Sequence, residues 1–304
     1  MSDSASGLAE FASPSRGPGR SEAILSVSDL AFRYNDSKRD ALAGLSLEIP
    51  AGQITAILGP NGSGKTTLLR LLLGVLRPRQ GRIMLGGRAQ SDHSRRELGQ
   101  LVGLVPQDEH IPFDFSILEY VLLGRAPYLR PLEMPGETDR QVALAALRTA
   151  GLADLQHRPL PNLSGGERQL ATVARALAQK PRILLLDEPT AHLDLSNQGR
   201  LLEIMRELVA GGVTLVLTTH DPNLASAIAG FAVLMRQGQV LDAGPAEATL
   251  TTEKLTATYG VPVQVFQVAA RRIILLSDRQ TEPGGHAAVK TSKDKEPGGE
   301  RYAT

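Results

Sequence analysis

One segment of the chain, residues 54–73, limits the possible folds more than any other. An apolar run that suits a buried strand, Ile54 to Leu58, leads directly into a glycine-rich loop and then into a leucine-rich helical pattern that starts at Thr67. The loop matches the G-x-x-x-x-G-K-[ST] pattern in the strand, loop and helix setting that the pattern requires. Its residues are Gly59, Pro60, Asn61, Gly62, Ser63, Gly64, Lys65 and Thr66. The sequence therefore predicts a phosphate-binding loop (P-loop) at the end of a strand.

This loop has the chemistry to hold the phosphates of a nucleotide. Glycines let the backbone wrap closely so that several N–H groups point inward, and the helix behind them adds about half a positive charge at its N-terminus. We expect Lys65 to reach the β- and γ-phosphates and the Thr66 hydroxyl to be a ligand of Mg²⁺. Residues 59–67 are therefore predicted to form the nucleotide site.

Two adjacent acids follow a second buried run, Ile183 to Leu186. They stand where open parallel sheets present ligand-binding groups, at the carboxyl end of a strand. We expect Asp187 to hold the magnesium through its water shell, and Glu188 to orient or deprotonate an attacking water. Taken alone, the two acids suit a helix cap equally well, but the P-loop upstream favours the catalytic interpretation.

Short β-branched or leucine-rich runs alternate with helical patterns along most of the chain, which predicts an α/β fold with a mostly parallel, buried sheet. The predicted strands of this P-loop (RecA-like) core are residues 54–58, 101–105, 183–186, 213–218 and 232–235. Ala23 to Tyr34 and Leu45 to Ile49 suggest paired strands at one edge, so we also expect an antiparallel β subdomain.

From about residue 108 to residue 164 the strand signal disappears, and an inserted helical subdomain is predicted. Ser116 and Thr138 each begin a capping-box pattern, and Gly151 suits the end of the second helix. The resulting domain map has a disordered tail over 1–22, one nucleotide-binding domain over 23–270, and an extension over 271–304 that is mostly disordered from about 281. The mixed charges near the C-terminus could form a basic arm, although their composition favours disorder.

Composition excludes several classes of function. The chain of 304 residues contains no cysteine, which excludes disulfide scaffolds, thiolate metal sites and cysteine nucleophiles. Its formal net charge is +1, so we expect no nucleic acid as a partner. The first twenty residues lack the apolar stretch of a signal peptide, and the longest apolar runs are too short to span a membrane.

A second anion-binding pattern lies at residues 163–169, with the sequence Leu-Ser-Gly-Gly-Glu-Arg-Gln. Ser164, Gly165 and Gly166 open a helix that is expected to run to Gln179, and a helix N-terminus with free N–H groups attracts anions. The segment closely resembles the signature sequence of the ATP-binding cassette (ABC) ATPases. In that family, the P-loop of one subunit and the signature of another enclose one ATP, which implies that the active form is a head-to-tail homodimer.

Other elements of this family occur in the expected order, and the resemblance covers roughly residues 25–265. Tyr34 resembles the aromatic residue that stacks on adenine, although it could also simply pack. Gln107 resembles the glutamine that senses magnesium and the γ-phosphate, and His220 resembles the histidine that contacts the γ-phosphate. Asp194 resembles the aspartate that contacts the partner subunit, and His192 before it is interpreted as a variation rather than a metal ligand.

Further stretches, 113–121, 124–128, 191–198 and 259–263, resemble the importer group for iron–siderophore complexes, haem and vitamin B12. The resemblance implies an ATP-hydrolysing subunit, with ATP and Mg²⁺ as cofactors, that works with a transmembrane permease and indirectly with a substrate-binding protein. Its implied location is the cytoplasmic face of the inner membrane. The segment Asp221-Pro222-Asn223 departs from many siderophore importers, which keeps molybdate importers open. An ABC ATPase of DNA repair or translation, and a P-loop kinase or GTPase, are weaker alternatives.

Overall fold

The computed structural model describes residues 23–109, 113–191, 193–269 and 271–277. The predicted tails, 1–22 and the stretch from about 281, lie outside the described residues, as does His192. The described part contains these strands: β1 (Ala23–Phe32), β2 (Leu42–Pro50), β3 (Ile54–Leu58), β4 (Gln80–Leu85), β5 (Arg88–Ala89), β6 (Val102–Val105), β7 (Ile183–Asp187), β8 (Thr214–Thr219), β9 (Phe231–Arg236), β10 (Gln239–Pro245), β11 (Val263–Val268) and β12 (Arg271–Leu276). Its α-helices are α1 (Lys65–Leu72), α2 (Arg95–Leu101), α3 (Ile117–Leu122), α4 (Glu137–Ala150), α5 (Gly165–Ala178), α6 (Leu195–Ala210), α7 (Pro222–Ile228), α8 (Ala246–Thr249) and α9 (Thr252–Tyr259).

The core is a six-stranded sheet in the order β10-β9-β3-β8-β7-β6. Five of its strands run parallel, and β10 pairs antiparallel with β9 at one edge. Every residue of β3, β7 and β8 is buried, as expected for strands that are covered on both faces. Successive side chains point to opposite faces, so that Ile57 belongs to one hydrophobic cluster and Leu58 to the other. The predicted α/β fold is confirmed.

The antiparallel subdomain is a separate four-stranded sheet with the order β2-β1-β4-β5. The predicted antiparallel subdomain and its pairing of β1 with β2 are confirmed, but the prediction missed β4 and β5. The first three residues of β4 are exposed and β5 has only two residues, so neither carries a clear apolar alternation. Apolar side chains of β1 and β2 instead pack with those of α1 in the second hydrophobic cluster.

Helices and turns, without a strand, make up the described residues between 113 and 163. The capping box at Ser116 is confirmed, because its hydroxyl accepts a hydrogen bond from the N–H of Glu119 and the Glu119 carboxylate accepts one from the N–H of Ser116. The capping box predicted at Thr138 is wrong. There α4 begins at Glu137 after Gly136, whose N–H donates to the Asp139 carboxylate at 3.1 Å. The first turn of α4 is wholly polar, so the apolar period could not locate its start.

Two boundaries near the ends of elements differ from the prediction. The domain limit at residue 270 is wrong, because it falls between β11 and β12, which form a hairpin that pairs Val268 with Arg271. Several residues near the hairpin tip are polar, as at the start of a disordered tail, and composition therefore placed the limit there. Leu101, predicted to open a strand, is the last residue of α2. The predicted end of α4 is confirmed, since Gly151 adopts the left-handed conformation (φ 74°) of a helix C-cap.

A buried ion pair within the helical insert includes an arginine that also bonds α5, and its loss should destabilise the chain. The Arg125 Nε atom lies 2.9 Å from Oδ1 of Asp139, both side chains are largely buried, and the Arg125 guanidinium also donates to the carbonyl of Ala178 at 2.8 Å. We expect Arg125→Ala to lower the free energy of unfolding by about 3–5 kcal/mol, because it leaves a buried carboxylate without its cation. Urea denaturation measures the change.

Arg88→Ala is the matched control for this change. Arg88 also pairs with a carboxylate, that of Glu97, but both side chains are about half exposed. The control should alter the urea midpoint little, since exposed pairs are screened by solvent. An equal loss in both variants would contradict the role given to burial.

Candidate active site

A cleft of about 880 Å³ opens at the carboxyl ends of the neighbouring strands β3, β8, β7 and β6. Parallel strands end at the same edge of a sheet, so the loops that follow them meet there. The lining residues come from these loops and from the turn after β1. They are Tyr34, Ala41, Asn61, Gly62, Ser63, Gly64, Lys65, Thr66, Thr67, Gln107, Glu188, Ala191 and His220.

Glycine is required in the loop at both of its ends. A Cβ atom on Gly59 would lie 2.2 Å from the carbonyl oxygen of Met235, which no real side chain tolerates. Gly64, the N-cap of α1, has φ 102°, and its Cβ would lie 2.7 Å from the carbonyl oxygen of Ala41. The loop can therefore follow this path only without side chains, and it directs the N-terminus of α1 into the cleft.

Lys65 supplies a fixed positive charge to this loop. Its side chain is buried, and its ammonium donates to the carbonyl oxygens of Gly59 at 2.8 Å and Pro60 at 3.3 Å. Burial lowers the pKa of Lys65, while the nearby carboxylates of Glu188 and Asp187 act in the opposite direction. An ammonium has three donors, so two bonds to the loop leave a third for a phosphate oxygen.

One carboxylate oxygen of Asp187 accepts hydrogen bonds from two hydroxyl groups. The hydroxyl of Thr66 donates to Oδ1 of Asp187 at 3.3 Å, and the hydroxyl of Thr218, from β8, donates to the same atom at 2.5 Å. The described residues contain no cluster of three or more His, Cys, Asp and Glu side chains that could hold a metal alone. A carboxylate and a hydroxyl beside a phosphate loop fit Mg²⁺, which takes few protein oxygens and completes its shell with phosphates and water.

Glu188 has an unusual backbone conformation that its surroundings maintain. Its φ of 46° lies in the left-handed region, which is costly for a residue with a long side chain. Its N–H donates to the backbone oxygen of Thr218 at 3.2 Å and to the Thr218 hydroxyl at 3.1 Å. Its Oε2 lies 2.8 Å from Nδ1 of His220, at the mouth of the cleft. The carboxylate is thus aimed at the cleft, where a general base for water would be needed.

Gln107 lines the cleft, and the segment after it is tied to α5. Glu109 accepts a hydrogen bond from the buried hydroxyl of Tyr120 at 2.5 Å and pairs with Arg175 of α5 at 3.0 Å. The Tyr120 hydroxyl also lies 3.2 Å from Oγ1 of Thr172, and burial raises the pKa of Tyr120, so the phenol remains a donor. Sequence reasoning missed this cluster, because its members are far apart along the chain.

Tyr34 stands at the outer rim of the same cleft. Its hydroxyl lies 3.2 Å from Oγ1 of Thr67, and its ring meets that of Phe32 edge to face, with 4.9 Å between the centroids. The side chain of Tyr34 is exposed, so part of its ring surface is accessible to a planar ligand.

The remaining predicted residues, Ser164, Gly165, Gly166 and Asp194, do not line this cleft. The Ser164 side chain caps α5 by accepting from the N–H of Glu167, and Asp194 caps α6 by accepting from the N–H of Asn197. A Cβ on Gly166 would lie 2.2 Å from Nδ2 of Asn197, so the N-terminus of α5 lies close to the first turn of α6. The structure therefore divides the predicted residues into two separate groups, and Asn197 was not singled out from the sequence.

A family model described as ABC transporter matches residues 42–191, which include the P-loop, the signature segment and both acids. This chain belongs to the ABC transporter family. The predicted resemblance is thereby confirmed, and the chain is an ATPase of this family.

Relatives of this ABC ATPase include importer subunits. It is 40% identical over 233 residues to the hemin import ATP-binding protein HmuV of Gloeobacter violaceus, covering 74% of this chain and 84% of the relative. It is also 40% identical over 240 residues to the molybdate import ATP-binding protein MolC of Haemophilus influenzae, covering 79% and 89%.

Solved structures of ABC proteins have the same fold. A metal-chelate type ABC transporter in an inward-facing conformation matches with a TM-score of 0.74 and 36% identity, covering 85% of this chain and 99% of that one. A dimeric bacterial ABC transporter cassette matches with a TM-score of 0.66 and 29% identity, covering 73% and 99%.

Thr218 supports both acids of the ABC ATPase site, so its hydroxyl should matter for turnover. Thr218→Val keeps the shape of the side chain but removes the bonds to Asp187 and to the N–H of Glu188. We expect kcat for ATP hydrolysis to fall about 10- to 100-fold, the usual cost of losing an outer partner of a metal ligand. Steady-state phosphate release measures it.

Thr214→Val on the same strand is the control. Its hydroxyl is equally buried and accepts from the N–H of Gly52 at 2.9 Å, far from the acids. Wild-type turnover in Thr218→Val, or an equal loss in both variants, would rule out this role.

Proposed function

We propose that this ABC ATPase hydrolyses ATP at two shared sites in a head-to-tail homodimer and drives an importer for a metal chelate. One observation carries the proposal. The P-loop cleft and the residues at the N-terminus of α5, Ser164, Gly165 and Gly166 (the Ser164 group), are both formed in one chain, but they lie apart. Each group alone has phosphate-binding chemistry, and pairing two chains brings a cleft of one against a Ser164 group of the other. The dimeric cassette structure supports the pairing of two chains.

The Ser164 group has features that suit a ligand approaching from outside the chain. An accepting serine oxygen still carries its own O–H donor, so the capping bond leaves Ser164 able to donate to a phosphate. A Cβ on Gly165 would meet nothing within 4 Å in this chain, so nothing within the chain requires a glycine there. A partner's triphosphate that approached the N-terminus of α5 closely would require one.

Within the cleft each side chain takes a defined role. Residues 59–67 hold the phosphates, with Lys65 on the β- and γ-phosphates, while Tyr34 stacks on the adenine. Thr66, Gln107 and Asp187 hold Mg²⁺, which neutralises charge on the phosphates when it is bound. Glu188 orients the attacking water, and its proximity to His220 keeps both groups facing the γ-phosphate.

ATP can act as a clamp in such a dimer. It contacts both chains only when they are closed, so its binding energy favours the closed state, and hydrolysis removes that preference. Asp194 and the adjacent Leu195, which is 87% exposed, lie on the face that closure covers.

The permease is proposed to bind the helical insert. Large apolar side chains are exposed there, at Phe113, Leu123, Leu132 and Met134, and burying them against a partner would remove apolar surface from water. None of the helices in the described ranges combines the length and the apolar character needed to cross a membrane. We also propose a peripheral position on the cytoplasmic face of the membrane, with a separate permease and a substrate-binding protein, which the hemin import relative supports.

The proposed cargo is an iron chelate of the siderophore, haem or cobalamin type. The hemin import relative and the metal-chelate type transporter support this class. The equal identity to the molybdate import relative supports a second candidate, an oxyanion importer.

Replacing Glu188 tests the site and the dimer together. We expect Glu188→Gln to bind ATP but to lose hydrolysis by at least about 100-fold, because the amide cannot accept a proton from water. The bound ATP should then hold two chains together, and size-exclusion chromatography with Mg²⁺ and ATP should show a stable dimer. Undiminished hydrolysis would contradict the role of Glu188.

Mixing two defective chains tests whether each site is shared between two subunits. A chain with Ser164→Arg keeps its P-loop, and a chain with Lys65→Ala keeps its signature segment, so each mixed pair contains one complete site. Hydrolysis should be lost in each variant alone and should return on mixing. No recovery on mixing, or full hydrolysis by a monomer, would contradict the homodimer.

The cargo can be identified with the permease in lipid vesicles. Ferric chelates, haem, cobalamin and molybdate are each added with the binding protein, and ATP hydrolysis is measured. We expect stimulation by one of the first three and none by molybdate, with the Glu188→Gln chain as the inactive control. Stimulation by molybdate alone would replace the first proposal with the second.

A further inference from the structure

The short segment after β8 connects the active site to the C-terminal part of the chain. His220 lines the cleft, Asp221 follows it, and α7 begins at Pro222. Asp221 caps α7 by accepting from the N–H of Asn223 at 2.8 Å, and its own N–H donates to the Thr219 hydroxyl at 3.0 Å. These bonds fix the turn locally but do not connect it to the rest of the fold.

The side chain of Asn223 provides that connection. Its Nδ2 donates to the carbonyl oxygen of Ile274 at 2.9 Å, and its Oδ1 accepts from the N–H of the same residue at 2.8 Å. Both ends of the amide are used on one backbone unit, so the side chain has a single orientation. Ile274 is buried and pairs with Val265 across the β11–β12 hairpin, which makes the anchor rigid.

Helix α9 adds a second contact from the C-terminal part. The hydroxyl of Tyr259 lies 3.5 Å from the carbonyl oxygen of His220. Burial, with the nearby carboxylates of Asp221 and Glu188, raises the pKa of Tyr259 to about 12, so the phenol keeps its proton. The N–H of Val265 donates to the Thr252 hydroxyl at 3.0 Å, which joins the hairpin to α9.

His220 needs such an anchor because packing does not hold its ring. The side chain is 64% exposed, whereas that of Glu188 is only 14% exposed. An exposed imidazole keeps one orientation only if its backbone is fixed and its ring has a partner.

We propose that Asn223 is a positioning residue for ATP hydrolysis, through which the C-terminal hairpin fixes the backbone of His220 against Glu188. The proposal rests on the role of His220 proposed above. The proposal gives the β11–β12 hairpin, which the predicted domain limit at residue 270 divided, a role in the catalytic site. No residue of the P-loop or of the signature segment has this role.

Asn223→Leu tests the proposal in the full chain, since leucine has a similar size and makes neither hydrogen bond. We expect kcat for ATP hydrolysis to fall about 10-fold, at the lower end of the range for outer-shell partners, with KM for ATP changed less than about 2-fold. Asn223→Asp keeps the acceptor for the N–H of Ile274 and loses the donor, so its kcat should be intermediate. A graded loss of this kind separates hydrogen bonding from side-chain size.

A spectroscopic readout shows whether the effect passes through His220. In protein labelled with ¹⁵N-histidine, the ring signals of His220 are those that disappear in His220→Gln. They should shift in Asn223→Leu, because the ring then samples orientations away from Glu188. Gln179→Leu is the matched control, since the Gln179 amide also bonds a strand backbone, at Val102 (2.8 Å), outside the cleft. It should change neither the His220 signals nor kcat.

The outcomes distinguish this proposal from the one on which it rests. Wild-type kcat and unshifted His220 signals in Asn223→Leu, with hydrolysis lost in His220→Gln, would overturn the positioning role alone. Equal losses of kcat in Asn223→Leu and Gln179→Leu would also overturn it, since they would reflect general destabilisation. Full hydrolysis by His220→Gln would overturn both the role of His220 and the role of Asn223 in positioning it.

Discussion

The parallel register of three neighbouring strands is the constraint on which the site depends. In the core sheet Leu58 pairs with Thr219, and Asp187 pairs with Thr218, so β3, β8 and β7 end side by side. The 2.5 Å bond between the Thr218 hydroxyl and Asp187 joins two of these ends through their side chains. Because the P-loop, both acids and His220 follow directly, small errors in register would separate groups that must act together.

This arrangement places strain and buried charge where chemistry occurs. Glu188 keeps a left-handed backbone because its N–H donates a hydrogen bond to the Thr218 hydroxyl. Lys65 stays buried because its ammonium donates hydrogen bonds to carbonyl oxygens of the loop. Such features cost stability in an isolated chain, and surrounding bonds must hold them.

Two groups of polar contacts outside the cleft hold the ends of the loops that line it. The Glu109 cluster ties the segment after Gln107 to α5, and Asn223 joins the turn after His220 to the hairpin. Each contact joins residues that are distant in the chain or belong to different elements. A few polar side chains from other parts of the chain therefore hold the loops that line the cleft.

The sequence by itself determined the class of the fold, and it predicted which residues form the candidate site. Local patterns carry that information: a glycine loop after a strand, paired acids after another strand, and apolar runs of strand length are each complete within a few residues. Such patterns are missing where the residues of an element are polar or few. This is the case for the short strands β4 and β5, for the start of α4 at Glu137 and for the hairpin through Arg271. Only the tertiary structure decided that Thr218 supports both acids, that Asn223 reaches Ile274, and that Ser164 lies outside the cleft, because these relations depend on pairing and packing between distant parts of the chain.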